Sequence, residues 1–237
     1  MATSGMSVGR LQRDPRAGWL AVALIALAGF VALVFLVTAW PVFGRADAAL
    51  SGAIRATRTP VLTNAAGWMS EVGGLQFAGV VTFALIIWMA VRRNWAAIVY
   101  LFMTIVVGWL LGNDVVKNVI RRPRPVGVNL SPLGHDFSMP SSHSLASFLL
   151  LTTVCVIVML NLPTGRHLKR WLAIASAVVI VLVGYSRVYL GVHWAGDVIG
   201  AWLLGGAWWS FTTATYFGSV TEEKRVSPRP GAPGASE

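Results

Sequence analysis

Long apolar runs divide this chain, and the first, from Trp19 to Trp40, contains 22 residues without a charged side chain. A helix of this length crosses about 30 Å, the thickness of the hydrocarbon core of a bilayer. A cleaved signal peptide is the competing interpretation, because arginines precede the run and Ala46-Asp47-Ala48 follows it. The apolar segment of a signal peptide has only about 7–15 residues, so the sequence favours a retained membrane span.

Five further apolar runs follow, separated by polar segments. They extend over Gly74–Val91, Trp95 to about Leu111, His143 to about Leu160, Trp171 to about Tyr185, and Trp194 to about Phe217. The helix that begins at Trp95 is expected to run on through Lys117. Only 12% of the residues are charged, which is about half of the share in a soluble domain. The sequence therefore predicts an all-α bundle of six transmembrane helices in residues 19–217.

The polar segments define the remaining parts of the chain. Residues 1–18 are predicted as an N-terminal tail, and residues 218–237, which are charged and rich in Pro and Gly, as a disordered tail. In residues 41–73, apolar side chains recur at helical spacing, which indicates a short helix on the membrane surface that ends at Pro60. Such a segment suits either a lid over a lipid site or a plain connector.

The basic residues are distributed unevenly between the two ends of the predicted bundle. Six spans place both termini on one side, and eleven of the nineteen Lys and Arg residues fall there, which the positive-inside rule identifies as cytoplasmic. The opposite side nevertheless carries four basic residues in one loop, Lys117, Arg121, Arg122 and Arg124. This cluster opposes the topological bias and indicates a function on the extracytoplasmic face.

The net charge of +10 raises the question of a nucleic-acid partner. The basic residues are scattered in short groups between apolar runs, so membrane topology and anionic lipid head groups explain them better. No nucleic-acid partner is predicted. The single Cys155 lies inside an apolar run, which excludes an internal disulfide. The sequence leaves the oligomeric state open.

Three polar clusters lie at the predicted outer ends of neighbouring spans, within or beside the predicted active-site loops 112–142 and 186–193. The clusters are Lys117 to Arg124-Pro125, then Pro140-Ser141-Ser142-His143, and then Ser186-Arg187 with His193 and Asp197. Fixed cations bind phosphate oxygens, and the free N–H groups of a helix start attract anions. Two histidines beside such a site supply a nucleophile and a proton donor. Together the clusters predict metal-free phosphoryl transfer.

His193 and Asp197 are four residues apart at the start of the last span, so a helix would put them on one face. The carboxylate would then hold one imidazole nitrogen and leave the other free to attack. An uncompensated charge near a bilayer costs about 2.5–3.5 kcal/mol on insertion scales. We therefore expect Asp197 to have a partner, and His193 is the predicted one.

In order and spacing, the three clusters resemble the signature of the type 2 phosphatidic acid phosphatase superfamily. That signature reads Lys-x6-Arg-Pro, then Pro-Ser-Gly-His, then Ser-Arg-x5-His-x3-Asp. The chain departs from it once, with Ser142 at the position of the usual Gly. A Ser keeps the backbone N–H and adds a side chain beside the phosphate, so we expect an effect on substrate shape or rate.

The resemblance implies roles for the matching residues. His193 would be the nucleophile that forms a phosphohistidine, Asp197 would orient it, and His143 would be the general acid. The residues that would hold the phosphate are Lys117, Arg124, Ser141, Ser142 and Arg187. Neither a metal nor another cofactor is implied.

The resemblance also implies a function, that of an integral membrane lipid phosphatase acting at the extracytoplasmic face of the cell membrane. Its substrate would be a lipid phosphate or diphosphate whose tails stay in the bilayer. Isoprenoid diphosphates such as undecaprenyl diphosphate, phosphatidylglycerophosphate and phosphatidic acid all fit. Two alternatives stay open: a lipid phosphotransferase that uses the same intermediate, and a lipid-binding or transport protein without catalysis. Vanadium-dependent haloperoxidases share the signature but are soluble, whereas the six predicted spans indicate a membrane protein.

Overall fold

The structure is a computed structural model that describes residues 15–130, 137–163 and 165–226. In these residues every regular element is a helix, which confirms the all-α prediction. The helices are α1 (Pro15–Ala39), α2 (Pro41–Ala56), α3 (Pro60–Val72), α4 (Leu75–Val91), α5 (Trp95–Ile120), α6 (Ser142–Asn161), α7 (Arg166–Tyr189) and α8 (Ala195–Val226).

Within the described part of the chain, five helical stretches are long and apolar enough to cross a membrane. They are Arg16–Ala39, Pro60–Val91, Trp95–Ile120, Ser142–Asn161 and Arg166–Tyr189. The prediction of a multi-pass membrane protein is therefore confirmed. The second stretch combines α3 and α4, which are separated only by a two-residue turn at Gly73 and Gly74.

The helix α8 is the longest of the described helices, with 32 residues. It makes its most extensive contacts with α1 and also packs on α6. The helices α1 and α8 run antiparallel along their length: Gly196 lies against Val37 near one end, and Gly218 lies against Arg16 near the other. Frequent Gly, Thr and Trp residues make α8 less hydropathic than the five stretches.

The helix α2 follows α1 after a single residue, and its two faces differ in polarity. Asp47 and Ser51 are buried, whereas Val42, Phe43 and Leu50 are about half exposed. Most of the apolar side chains of α2 therefore face outward, and the buried polar face packs on the bundle. This pattern is typical of a helix whose surroundings are partly lipid, since apolar side chains then need no protein partner.

Pro60 starts a helix, whereas the sequence predicts that a helix ends there. It occupies the first position of α3, where the missing N–H of proline costs nothing. Thr59 caps the same helix, because its hydroxyl accepts from the main-chain N–H of Leu62 over 3.3 Å. Segment 41–73 thus consists of two helices joined at Thr57 to Thr59.

Three helices extend beyond the limits that hydropathy predicted. The helix α5 reaches Ile120, which confirms that it continues through Lys117, and residues 112–120 of the predicted loop 112–142 are therefore helical. The helix α7 reaches Tyr189, which shortens the predicted loop 186–193 at its start. Hydropathy marks where a chain leaves the bilayer, whereas a helix ends only where capping or backbone geometry stops it.

The last helix shows the same effect at the other end of the bundle. It continues to Val226, so residues 218–226 of the predicted disordered tail are helical. Glu222, Glu223, Lys224 and Arg225 are good helix formers, and the first proline comes only at position 228. The predictions for residues 1–14 and 227–237 lie outside the described residues.

Candidate active site

The three polar clusters of the sequence meet at one end of the bundle. The Nζ of Lys117, in the last turn of α5, donates to the Oγ of Ser142 at the start of α6 over 2.8 Å. The main-chain N–H of Ser141 donates to the carbonyl oxygen of Asp197, in the first turn of α8, over 3.1 Å. All predicted site residues lie there: Lys117, Arg124, Ser141, Ser142, His143, Arg187, His193 and Asp197.

His193 lies at the centre of this cluster and is only 1% exposed. Its Nδ1 is 3.4 Å from Oδ2 of Asp197, and its Nε2 is 3.2 Å from Nη1 of Arg124. A guanidinium can only donate, so Nε2 must accept and the ring proton must sit on Nδ1, toward the carboxylate. This tautomer presents a nitrogen lone pair among the cations.

The environment of His193 also keeps its ring neutral. Burial lowers the pKa of the imidazole well below its ordinary value of 6.5, and the positive charges of Arg124, Arg187 and Lys117 lower this pKa further. The same three cations and His193 also lie within electrostatic reach of His143. A neutral imidazole among cations is a ready nucleophile, since no proton has to leave before attack.

Asp197 has a closer partner than the one predicted. Its Oδ1 accepts from Nη1 of Arg122 over 2.7 Å, whereas His193 is farther away. Nη2 of the same guanidinium donates to Oδ2 of Asp47 over 2.5 Å. Arg122 and Asp47 are each 8% exposed and Asp197 is fully buried. The predicted pairing of Asp197 with His193 is therefore present, and a closer bond from Arg122, which bridges two carboxylates, accompanies it.

The helix α2 supplies the cap of α8 from a distant part of the sequence. Oδ1 of Asp47 accepts from the main-chain N–H of Gly196 over 2.8 Å, and Oγ of Ser51 accepts from that of Ala195 over 2.9 Å. Oδ2 of Asp197 accepts from the N–H of Trp194 over 2.8 Å. The N–H groups at a helix start need such acceptors. Asp47 and Ser51 thus fix the segment that carries His193.

Arg187 reaches the site from the last turn of α7. It is 6% exposed, and its Nη1 donates to Oγ of Ser70 on α3. Its buried Nε has no hydrogen-bond partner among the described residues. A buried guanidinium N–H without an acceptor is costly and indicates a ligand oxygen at this position.

The start of α6 offers main-chain donors. Ser141 occupies the capping position, but its side chain makes no capping hydrogen bond. Its hydroxyl instead accepts from that of Ser144 over 3.0 Å. The first intrahelical bond runs from Leu145 to the Ser141 carbonyl, so the N–H groups of the preceding turn are available to an anion.

The chain between α5 and α6 is held in place by hydrogen bonds to its neighbours. Ser138, near the end of this segment, contacts its start: the main-chain N–H of Ser138 donates to the carbonyl of Arg122 over 2.8 Å. The Nε1 of Trp194 donates to the carbonyl of Pro123 over 3.0 Å. Nη1 of Arg124 donates to the carbonyl of Val192 over 2.9 Å. These bonds fix Arg124 beside His193.

Gly191 allows this segment to approach the end of α7. Its φ of 80° is in the left-handed region. A Cβ at this position would also collide with the carbonyl oxygen of Val128. The carbonyl of the preceding Leu190 accepts from the N–H of Leu130 over 2.7 Å, which ties the two segments together next to His193.

Several site residues are absent from the sequence prediction. They are Asp47, Ser51, Ser70, Asn113, Arg122 and Ser138. Two signals were available: the basic cluster that contains Arg122, and the pair Asp47 and Ser51, polar residues one turn apart on α2. Among the residues that the structure describes, no three His, Cys, Asp or Glu side chains are grouped as a metal site.

Replacement of Arg122 by alanine is expected to destabilise the protein strongly, because Asp47 and Asp197 would remain buried without their cation. Breaking a buried ion pair costs about 3–5 kcal/mol. The neighbouring Arg121 is exposed and bonds only to the carbonyl of Asn118 in the described contacts. Arg121→Ala should therefore unfold near the wild-type temperature in detergent, whereas Arg122→Ala should unfold well below it. Equal unfolding temperatures would contradict the arginine bridge.

Acidification is expected to weaken the fold through His193. Its folded pKa lies below the ordinary value, so the unfolded chain takes up a proton as the pH falls through about 6.5 while the folded chain does not. Stability should therefore decrease as the pH is lowered from about 8 to about 5. Thermal unfolding in detergent should show a smaller decrease for His193→Gln than for wild type. Identical pH profiles would contradict a neutral buried imidazole.

Comparison with known proteins gives a consistent assignment. A family model described as the PAP2 superfamily matches residues 96–220. Phosphatidylglycerophosphatase B of Bacillus subtilis is 34% identical over 171 residues, which cover 68% of this chain and 78% of that protein. Undecaprenyl-diphosphatase of Sulfolobus acidocaldarius is 39% identical over 136 residues, which cover 55% of this chain and 59% of that protein.

The fold gives the same result. The structure is similar to the crystal structure of a transmembrane PAP2-type phosphatidylglycerolphosphate phosphatase from Bacillus subtilis, with a TM-score of 0.72 and 26% sequence identity. The similarity covers 87% of this chain and 98% of the other. It confirms the family that the three motifs indicated: this chain belongs to the PAP2 superfamily of membrane lipid phosphatases.

Proposed function

We propose that this protein hydrolyses the terminal phosphate of a membrane lipid phosphate or diphosphate through a phosphohistidine formed on His193. One observation carries the proposal: the unprotonated Nε2 of His193 faces the cations Lys117, Arg124 and Arg187. On the other side of the ring, Asp197 lies next to Nδ1. This arrangement combines a nucleophile with charges that neutralise a phosphoryl group, and it needs no metal ion.

In the first step, Nε2 of His193 attacks the terminal phosphorus in line with the bond to the lipid. A P–N bond forms, the P–O bond to the lipid breaks, and His143 gives its proton to the departing oxygen. Lys117, Arg124 and Arg187 stabilise the charge on the equatorial oxygens, assisted by the free N–H groups at the start of α6. Asp197 stabilises the charge that develops on the ring of His193.

In the second step, water replaces the histidine. His143, now neutral, removes a proton from the water, whose oxygen attacks phosphorus from the side of the departed lipid. The P–N bond breaks, its electron pair returns to Nε2 of His193, and inorganic phosphate leaves. Both histidines then have their starting protonation states, so the cycle balances without a cofactor.

The substrate belongs to the class that the relatives' names define. Those names include a phosphatidylglycerophosphatase and an undecaprenyl-diphosphatase. We extend this class to the present chain, with isoprenoid diphosphates, phosphatidylglycerophosphate and phosphatidic acid as the candidate substrates. They share a terminal phosphate on a lipid anchor, which suits a cationic site at the end of a membrane bundle.

The proposed topology has six spans, with α8 as the sixth. Its antiparallel course along the whole of α1 supports this count, because α8 must cross wherever α1 crosses. Six spans leave both termini on the cytoplasmic side, where most basic residues outside the site lie. The active site then faces the outside of the cell membrane.

Phosphate release from a panel of the candidate lipids in detergent, with chelator present, tests the function. Wild type should release phosphate, and His193→Ala should fall to background because no covalent intermediate can form. His143→Ala should be slower by roughly 10²–10⁴-fold, the usual contribution of a general acid. His167→Ala is the matched control, since His167 is exposed at the start of α7.

Other results would refute this proposal. Wild-type rates in His193→Ala would exclude the nucleophile, and loss of activity with chelator would exclude a metal-independent reaction. Dependence of release on an added alcohol would identify a phosphotransferase. Lipid binding without any turnover would identify a binding protein.

Cysteine labelling tests the orientation. Cys155 is the single cysteine of the chain, so a Cys155→Ser background is free of thiols. An impermeant maleimide applied to intact cells or spheroplasts should label Val126→Cys, since Val126 is 87% exposed next to the site. Arg92→Cys lies at the end of α4 that is farther from the site, and it should react only after permeabilisation. The reverse pattern would place the site on the cytoplasmic face.

A further inference from the structure

Ser142 is the single departure of this chain from its family signature, and its hydroxyl both donates and accepts a hydrogen bond. Its one hydrogen is donated to Oδ1 of Asn113 over 2.6 Å. Its oxygen accepts from Nζ of Lys117 over 2.8 Å. The same Nζ also donates to Oδ1 of Asn113 over 3.2 Å. Three side chains thus form a closed ring of hydrogen bonds.

The ring determines what Ser142 can offer a phosphate. A hydroxyl has one hydrogen, and here Asn113 takes it, so the hydroxyl presents only lone pairs to the rest of the site. Lone pairs repel a phosphate oxygen but attract an ammonium. The main-chain N–H of Ser142, in the first turn of α6, remains the group that suits an anion.

The position of Asn113 follows from the local shape of α5. Residues Leu111–Val116 form a π-helical segment, a feature that is frequent at functional sites. Gly112 within it lies directly against the side chain of Leu145, where a Cβ would collide. This close approach of α5 to α6 brings Asn113 within reach of Ser142. Its amide is oriented by a bond from Nδ2 to Oδ1 of Asp114 over 2.8 Å.

We propose that Asn113 is a positioning residue for phosphate binding. It accepts the hydroxyl hydrogen of Ser142, so that Asn113 and Ser142 together provide two acceptors that hold the ammonium of Lys117 in the site. Ser142 then contributes its main-chain N–H to the phosphate, as the usual Gly would. The identity of the anion as a lipid phosphate rests on the proposed function.

This arrangement explains how the chain tolerates Ser at a position where Gly is usual. Without Asn113, the Ser142 hydroxyl would be free to rotate, and the ammonium of Lys117 would lose Oδ1 of Asn113 as an acceptor. A lysine side chain has four flexible carbon–carbon bonds, so a charge that is not held in place costs entropy whenever it binds a ligand. Ser142 and Asn113 should therefore depend on each other.

Calorimetric titration of the purified full-length protein in detergent with inorganic phosphate tests this dependence directly. Asn113→Ala should weaken phosphate binding by about 3- to 10-fold, the equivalent of one hydrogen bond. Ser142→Gly should weaken it to a similar extent. The double variant should lose less than the product of the two single losses, because each single change already loosens the Lys117 side chain that the other residue also holds.

The variant Asn113→Asp distinguishes a positioning role of Asn113 from a merely structural one. Asn113→Asp keeps the size of the side chain but places a carboxylate beside Lys117, so phosphate binding should weaken by more than about 10-fold. A structural role would predict the opposite order, with the isosteric Asp milder than Ala. Asn118 is the matched control, since it is exposed on the same helix and bonds to the carbonyl of Asp114. Asn118→Ala and Asn118→Asp should bind phosphate nearly as wild type does.

The inference would be overturned by multiplicative losses in the double variant, by Asn113→Asp binding more tightly than Asn113→Ala, or by equal effects at position 118. Absence of measurable phosphate binding to wild type would also overturn it. Lipid turnover is measured separately on the same preparations. Intact phosphate binding with the expected order of variants, but no lipid hydrolysis by wild type, would refute the proposed function and support the inference.

Discussion

The buried bridge in which Arg122 joins Asp47 to Asp197 supports the rest of the active site. Two carboxylates and one guanidinium are removed from water at the rim of a membrane bundle, where each alone would be costly. Their pairing fixes the first turn of α8 against α2 and the segment after α5. His193 contacts this bridge through Asp197, so the geometry of the nucleophile depends on the pairing of Asp197 with Arg122.

Much of the site is predictable from local sequence, because the spacing of residues near a helix end determines which side chains share a helix face. His193 and Asp197 share a helix face at four-residue spacing, and Lys117 and Arg124 bracket a helix end. The order of the clusters along successive spans then places them at one end of the bundle, where the structure has them. The roles assigned to these residues follow from the family and stay predictions for this chain.

The parts that sequence reasoning missed are contacts between distant segments. Asp47 is 75 residues from Arg122, and Ser70 is 117 residues from Arg187. Nothing in the spacing of Arg121 and Arg122 reveals which of the two turns inward; that depends on the left-handed backbone at Arg121. The end of α7 was missed for another reason. Hydropathy reports immersion in lipid, whereas α7 continues beyond its apolar run into the site.

The capping of α8 by α2 bears on how much of the chain forms a self-sufficient unit. The segment matched by the family model, residues 96–220, holds all three motifs, yet Asp47, Ser51 and Ser70 lie outside it. An excised fragment with those limits would keep every signature residue but leave two main-chain amides and two buried arginines short of acceptors. The motif-bearing half is therefore not an autonomous module, and transplanting it alone would separate the recognisable signature from the scaffold that gives it shape.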